Sequence, residues 1–377
     1  MTNFIIKCSV CGRTYPRKTL LWRCECGSPL DVFVELNEIE VSREAFNNRP
    51  SLMWKYRELL PIINNSNIVT LNECITPMLE VSLMGAITFL KLDYLLPTGS
   101  FKDRGASVAI SRAKEIGVKE IVEDSSGNAG AAIAAYSSVA GIKCKVFVPQ
   151  DAPEGKVLQI KSYGAEVIRV RGSRAEVNRE ALKRARKSYY IGHLWNPFFI
   201  EGIKTLAYEA VEQASWEEFD AVIVPVGSGG LLLGVHKGFL EFKELDLIGS
   251  VPRVYGVQST ACAPIYEMLY GESLYSCIGE PLADGIAVPD PPRGEQVVNV
   301  IKNTKGDLVI VNDTEIIESL KELARMGLFV EPTSATVLAA FKKLIRRGDI
   351  DRGERVLMPL TGFGLKALDK LIKLKIF

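Results

Sequence analysis

Residues 97–105 read PTGSFKDRG, and the lysine in this stretch, Lys102, lies between an aromatic residue and a glycine-containing turn rather than among exposed polar residues. An amine in that setting is a candidate nucleophile or base. Two further segments offer complementary chemistry. EDSSGNAG (123–130) puts Ser125, Ser126 and Asn128 at a predicted helix start, where hydroxyls, an amide and backbone N–H groups suit a carboxylate. VPVGSGGLLLG (224–234) carries Gly227, Ser228, Gly229, Gly230 and Leu231, and its glycines let backbone N–H groups close on a phosphate. That loop lacks the Gly-Lys-Ser/Thr ending of a Walker loop and the spacing of a dinucleotide fingerprint. Each segment also has an ordinary reading, as a helix cap, tight packing or a surface cation.

The elements that must position these residues follow from periodicity. Short apolar, β-branched runs at 87–93, 119–125, 143–149, 165–170, 219–227, 253–259 and 354–360 read as strands. Helical patterns lie between them, among them 127–140, 201–213, 315–326 and 334–344. This alternation predicts an α/β fold whose strands are mainly parallel and buried. Ligands in such folds sit beyond the carboxyl ends of strands, which is where all three segments fall. An imine-forming lysine, a phosphate cradle and a separate carboxylate site are together what pyridoxal phosphate and an amino acid substrate require. A Pro-rich loop, AVPDPPRG (287–294), reads as a lid or a long connection.

Composition narrows the class. With 377 residues, 47% hydrophobic and 24% charged, the chain has the make-up of a folded domain or two, and its net charge of +1 argues against a nucleic-acid partner. No apolar run has membrane-spanning length, and the N-terminus turns polar too soon for a signal peptide, so a cytoplasmic protein is expected. In that compartment Cys74, Cys144, Cys262 and Cys277, which stand singly, are expected to be reduced core residues. Cys8-x2-Cys11 and Cys24-x-Cys26 cluster instead, each pair followed by a glycine, and read either as zinc ligands or as a metal-free ribbon.

PTGSFKDRG, SSGN, the glycine loop after VPV, EPTSA (331–335) and PLTGFGLK (359–366), in this order, closely resemble the fold-type II pyridoxal-phosphate enzymes and specifically their threonine synthase group. The resemblance runs from the CxxCG start to the TGxGLK end. It implies two open, mostly parallel twisted sheets with helices on both faces, and a small N-terminal ribbon that contains the cysteines. The implied division is a ribbon at 1–36, a large cofactor-binding domain at 37–105 with 196–377, and a small domain at 106–195. Lys102 would hold the cofactor covalently and move the α-proton. Asn128 would meet the cofactor's phenolic oxygen, Gly227, Ser228, Gly229, Gly230 and Leu231 its phosphate, and Thr361 its pyridine nitrogen. A homodimer is implied as well.

The chain departs from the group where a substrate phosphate would bind. The expected NPxR segment reads NPFFIEGIKT (196–205), so Phe199 stands in the arginine position beside Asn196. Ala129 follows SSGN where threonine is common, Ser228 replaces an asparagine, and Phe363 replaces the histidine of TGHG. A phenylalanine cannot make the charge-assisted contact of a guanidinium with phosphate. His193, in HLWNP, is read either as a substrate-facing or catalytic residue or as a structural one, and His236 as structural. Two classes of function follow: a lyase or synthase performing β- or γ-elimination or replacement on a hydroxy or phospho-hydroxy amino acid, or a cofactor-binding paralogue without turnover. Within the first lie threonine synthase proper, serine/threonine dehydratase and a cysteine-synthase-like enzyme.

Overall fold

The computed structural model describes residues 2–271, 277 and 280–377. They group into two compact units, one of Met1–Val41, Asn48–Cys74 and Leu96–Ile203, the other of Ser42–Asn47, Ile75–Leu95 and Lys204–Phe377. The N-terminal ribbon falls in the first of these units. Residues 96–105 go with that unit because the helix Lys102–Glu115 is continuous and packs on the helix Pro197–Ile203.

The first unit contains a parallel sheet in the order Glu166–Val170, Lys143–Pro149, Glu120–Glu123, Tyr189–Tyr190. Its helix Arg174–Ala185 opens on a capping box, with the Ser173 hydroxyl accepting from the Glu176 N–H and the Glu176 carboxylate accepting from the Ser173 N–H. The ribbon is an antiparallel sheet, Thr14–Tyr15, Phe4–Cys8, Leu30–Val34. Its strands are short and were not evident in the sequence.

The second unit is built on six strands in the order Leu308–Val311, Arg253–Ser259, Ala221–Pro225, Arg355–Pro359, Ala86–Lys91, Met78–Leu83. The first five run parallel, and every residue of Ala221–Pro225 is buried, as a central strand covered on both faces must be. Met78–Leu83 closes the edge as an antiparallel hairpin strand. The turn residues Met84 and Gly85 both have positive φ, the pattern of a tight hairpin whose twist matches its strands. No helix among the described residues is long and apolar enough to cross a membrane.

Two sequence expectations are corrected here. The helix expected over 201–213 divides into Pro197–Ile203 and Thr205–Gln213, with Lys204 as the turn between them. Cys262 and Cys277 are not single thiols but a disulfide, while Cys74 is exposed rather than in the core. Spacing alone could not show the pairing, because it depends on the chain after the helix Pro264–Tyr270 returning to the end of Arg253–Ser259. Alkylation of the denatured, unreduced protein should label the other six cysteines and spare Cys262 and Cys277. Labelling of both by peptide mapping would contradict the bridge.

Candidate active site

Lys102 is the first residue of its helix, and the turn before it is pinned. The Thr98 N–H donates to Asp103 Oδ2 at 2.7 Å, the Thr98 hydroxyl donates to the other oxygen of Asp103, and Gln159 Nε2 donates to the Thr98 carbonyl at 3.0 Å. The helix then crosses Pro197–Ile203 at very short range. A Cβ on Gly105 would lie 2.3 Å from Phe199 Cδ1, and one on Gly202 would lie 1.9 Å from the Arg104 carbonyl oxygen. Only glycine permits either approach. The crossing seats the Phe199 ring, 1% exposed, beside Lys102, whose Nζ lies 5.7 Å from its centroid and 4.7 Å from that of Phe101. Loss of hydration pushes the Lys102 amine down to about 8, against a smaller opposing pull from Glu123. Two other buried lysines are unlike it: Lys91 is paired with Glu209 at 2.8 Å and Lys204 with Glu241 at 2.9 Å.

His193 joins Lys102 and Phe199, its ring centroid 5.9 Å from that of Phe199. It follows Tyr189–Tyr190, which runs parallel beside Glu120–Glu123, so the two strand ends meet. Glu123, fully buried, accepts the His193 backbone N–H at 3.2 Å and faces Nδ1 at 2.8 Å. A carboxylate on Nδ1 selects the tautomer protonated there and leaves the Nε2 lone pair outward. Burial first, and then the Lys102 charge, lower the His193 pKa, while Glu123 opposes them. Glu123 was not singled out in the sequence; the one signal was its place at the end of a predicted strand, ahead of SSGN.

Ser125, Ser126 and Asn128 lie at the start of the helix Asn128–Ala140, with the Ser125 hydroxyl accepting the Gly127 N–H at 3.3 Å. Ala129 is buried, 1% exposed. Asn196 is committed within the protein: its amide donates to the Tyr189 hydroxyl at 3.1 Å, and its carbonyl accepts the Phe198 N–H at 3.0 Å. It caps the helix that carries Phe199.

In the second unit, the glycine loop follows Ala221–Pro225 and Thr361 follows the neighbouring parallel strand Arg355–Pro359, so both stand at carboxyl ends in one sheet. Gly229 has φ +93°, and a Cβ on Gly230, which opens the helix Gly230–Glu244, would meet nothing within 4 Å. Gly227 is tighter, with the Ile286 Cα 3.1 Å from where its Cβ would be, Ser228 is buried, and Leu231 is 4% exposed. The Thr361 hydroxyl lies 3.0 Å from Ser334 Oγ, which also accepts the Thr361 and Gly362 N–H groups at 3.0 and 2.9 Å. Phe363 stacks on Tyr94, centroids 5.4 Å apart. His236 sits within the helix and is held neutral by burial, with a pKa of about 4.

Comparison with known proteins places this arrangement. Residues 69–362 match the family described as pyridoxal-phosphate dependent enzyme. A threonine synthase of Methanocaldococcus jannaschii is 38% identical, covering 97% of this chain and 94% of that protein. One of Methanosarcina acetivorans is 33% identical, covering 96% and 92%. The solved serine racemase of Dictyostelium discoideum is 29% identical with a TM-score of 0.64, covering 86% of this chain and 98% of that one. The chain belongs to the pyridoxal-phosphate dependent enzymes, as a carbon–oxygen lyase of the threonine synthase-like group.

The residues present fit the cofactor. A lysine whose amine titrates near 8 keeps a reactive neutral fraction near physiological pH and suits an imine-forming role, and the open backbone at Gly230 begins a helix, where anions bind. Ser100 Oγ, fully buried two residues before Lys102, has no hydrogen-bond partner among the described residues. When bound, pyridoxal phosphate supplies an electron sink that acidifies the α-C–H of an amino acid. Because the neutral amine is the attacking form, the rate at which cofactor-stripped protein takes up pyridoxal phosphate should rise with pH and level off above about 8. A rise continuing through pH ~10, where an ordinary lysine titrates, would contradict this environment for Lys102.

Proposed function

We propose that this lyase performs elimination or replacement on a small serine- or threonine-like amino acid and handles O-phosphohomoserine poorly. The observation that carries the reading is Phe199. It fills the notch over Gly105, beside Lys102 and His193, where the resemblance expects a phosphate-binding arginine. Lys204, a cation close by in sequence, is already committed to Glu241, and the lowered pKa of His193 keeps it from serving as a standing positive charge.

In this reading Lys102 holds the cofactor and takes or returns the proton at the substrate's α-carbon. Asn128 meets the phenolic oxygen, and Gly227, Ser228, Gly229, Gly230 and Leu231 bind the phosphate. Thr361, fixed by Ser334, faces the pyridine nitrogen. A hydroxyl there does not keep that nitrogen protonated as a carboxylate would, which favours elimination and replacement over transamination. Ser125, Ser126 and the N–H groups around Ala129 receive the substrate carboxylate, while Asn196 acts by holding the Phe199 helix. His193 Nε2, its tautomer set by Glu123, exchanges a proton with the oxygen leaving or entering the side chain. We also propose a homodimer acting in the cytoplasm, both supported by the resemblance.

Threonine synthase proper remains a second reading, favoured by 38% identity over nearly the whole chain. The test is a panel of serine, threonine, O-phosphoserine, O-phosphothreonine and O-phosphohomoserine, assayed for ammonia, phosphate and keto acid. Lacking a charge-assisted contact of about 1.5–3 kcal/mol, the wild type should turn over O-phosphohomoserine with a kcat/KM roughly 10- to 100-fold below what an arginine at position 199 would support, and below that of its best substrate. Phe199→Arg with Ala129→Thr should narrow that gap, and His193→Ala or Glu123→Gln should depress turnover of the preferred substrate. Efficient wild-type conversion of O-phosphohomoserine to threonine, indifferent to His193→Ala, would return the chain to the second reading.

A further inference from the structure

We propose that Cys8, Cys11, Cys24 and Cys26 bind one zinc ion, and that the zinc-closed ribbon holds Trp22 against the segment carrying His193. The four sulfurs all lie within 4.8 Å of one another. The short approaches are crosswise, Cys8 to Cys26 and Cys11 to Cys24, each at 3.5 Å. That is too long for a disulfide and close to the edge of a tetrahedron with Zn–S bonds of about 2.3 Å, roughly 3.8 Å. Because each pair contributes to both short approaches, the single residue between Cys24 and Cys26 does not spoil the chelate.

The surroundings are those of thiolate ligands. The N–H groups of Val10 and Cys11 both donate to Cys8 Sγ at 3.4 Å, and the Tyr15 hydroxyl donates to Cys24 Sγ at 3.0 Å. Gly12 and Gly27, each directly after a cysteine pair, take left-handed φ of +73° and +91° and let the chain curl back around the sulfurs. The ribbon's two- and five-residue strands are too short to build a core that would hold this geometry by themselves. Four thiolates in a closed tetrahedron, with no open position, are the donor set of a structural zinc site rather than a catalytic one.

The link to the active site runs through Trp22, in the segment between the two cysteine pairs. Its ring packs edge-on against Tyr190 at 5.0 Å and Trp195 at 5.1 Å, and it joins the apolar cluster of Val122, Phe147 and Val177. Tyr190 and Trp195 flank His193, and the Tyr190 hydroxyl donates to Asp124, the neighbour of Glu123, at 3.1 Å. The ribbon thus props both strand ends that form the Glu123–His193 contact. Trp22 acts as a positioning residue through Tyr190 and Trp195.

Elemental analysis of the holoenzyme as isolated should find about one zinc per chain, falling at least about tenfold in Cys11→Ser/Cys26→Ser. Should that variant fail to fold, release of zinc from the wild type by a mercurial, read with a metallochromic dye, gives the same count. A folded, cofactor-bound protein with no stoichiometric metal, or with iron instead, would overturn the site. Hydrogen exchange tests the coupling without any substrate. Stripping zinc should speed exchange of residues 189–196 about tenfold or more while Lys143–Pro149 stays protected, and Trp22→Ala should do the same with zinc retained. Unchanged exchange at 189–196 after zinc loss would overturn the coupling, and neither result depends on which amino acid the enzyme takes.

Discussion

The close crossing of two helices governs the first half of this site. Gly105 and Gly202 remove the side chains that would hold Lys102–Glu115 and Pro197–Ile203 apart, and into the space comes Phe199. One packing decision therefore sets three properties at once. It lowers the hydration of the Lys102 amine, it sets an aromatic ring beside that amine, and it brings the preceding loop, with His193, up to the same ring. Adding a side-chain carbon to a close-packed contact typically costs about 1–3 kcal/mol or more, so neither glycine is easily replaced.

In the second unit, taken by itself, the strand-end loops carry hydroxyls and backbone rather than charge. Ser334 Oγ holds this turn through two hydrogen bonds with Thr361 and one from the Gly362 N–H, and Phe363, where the resemblance expects histidine, stacks on Tyr94. Under the proposed reading, Phe199, Ala129 and Phe363 are apolar residues where the resemblance expects polar ones. They leave Lys102, Asn128 and the glycine loop intact.

What the sequence revealed and what it hid divide along physical lines. Lys102, the SSGN turn and the glycine loop were legible because each needs a particular residue type at a strand end, and a strand buried on both faces, such as Ala221–Pro225, advertises itself as an apolar run. Glu123 was not legible: its partner His193 is 70 residues away, and only the parallel pairing of two short strand ends joins them. The hydrogen bonds of the Asn196 amide to Tyr189 and Phe198 join groups that only the folded chain brings together. The edge strand Met78–Leu83 is half exposed and lacks a continuous apolar signature, and the Cys262–Cys277 bridge depends on the chain's return across a helix.

The central claim is that Lys102, alone among the lysines, is the covalent anchor of the cofactor. Borohydride reduction of the holoenzyme followed by peptide mapping tests it most directly. The account predicts the reduced pyridoxyl group on the peptide containing Lys102, and its loss in Lys102→Ala, while residual noncovalent binding persists through the glycine loop. Recovery of the label on Lys91, Lys204 or any other lysine would contradict it.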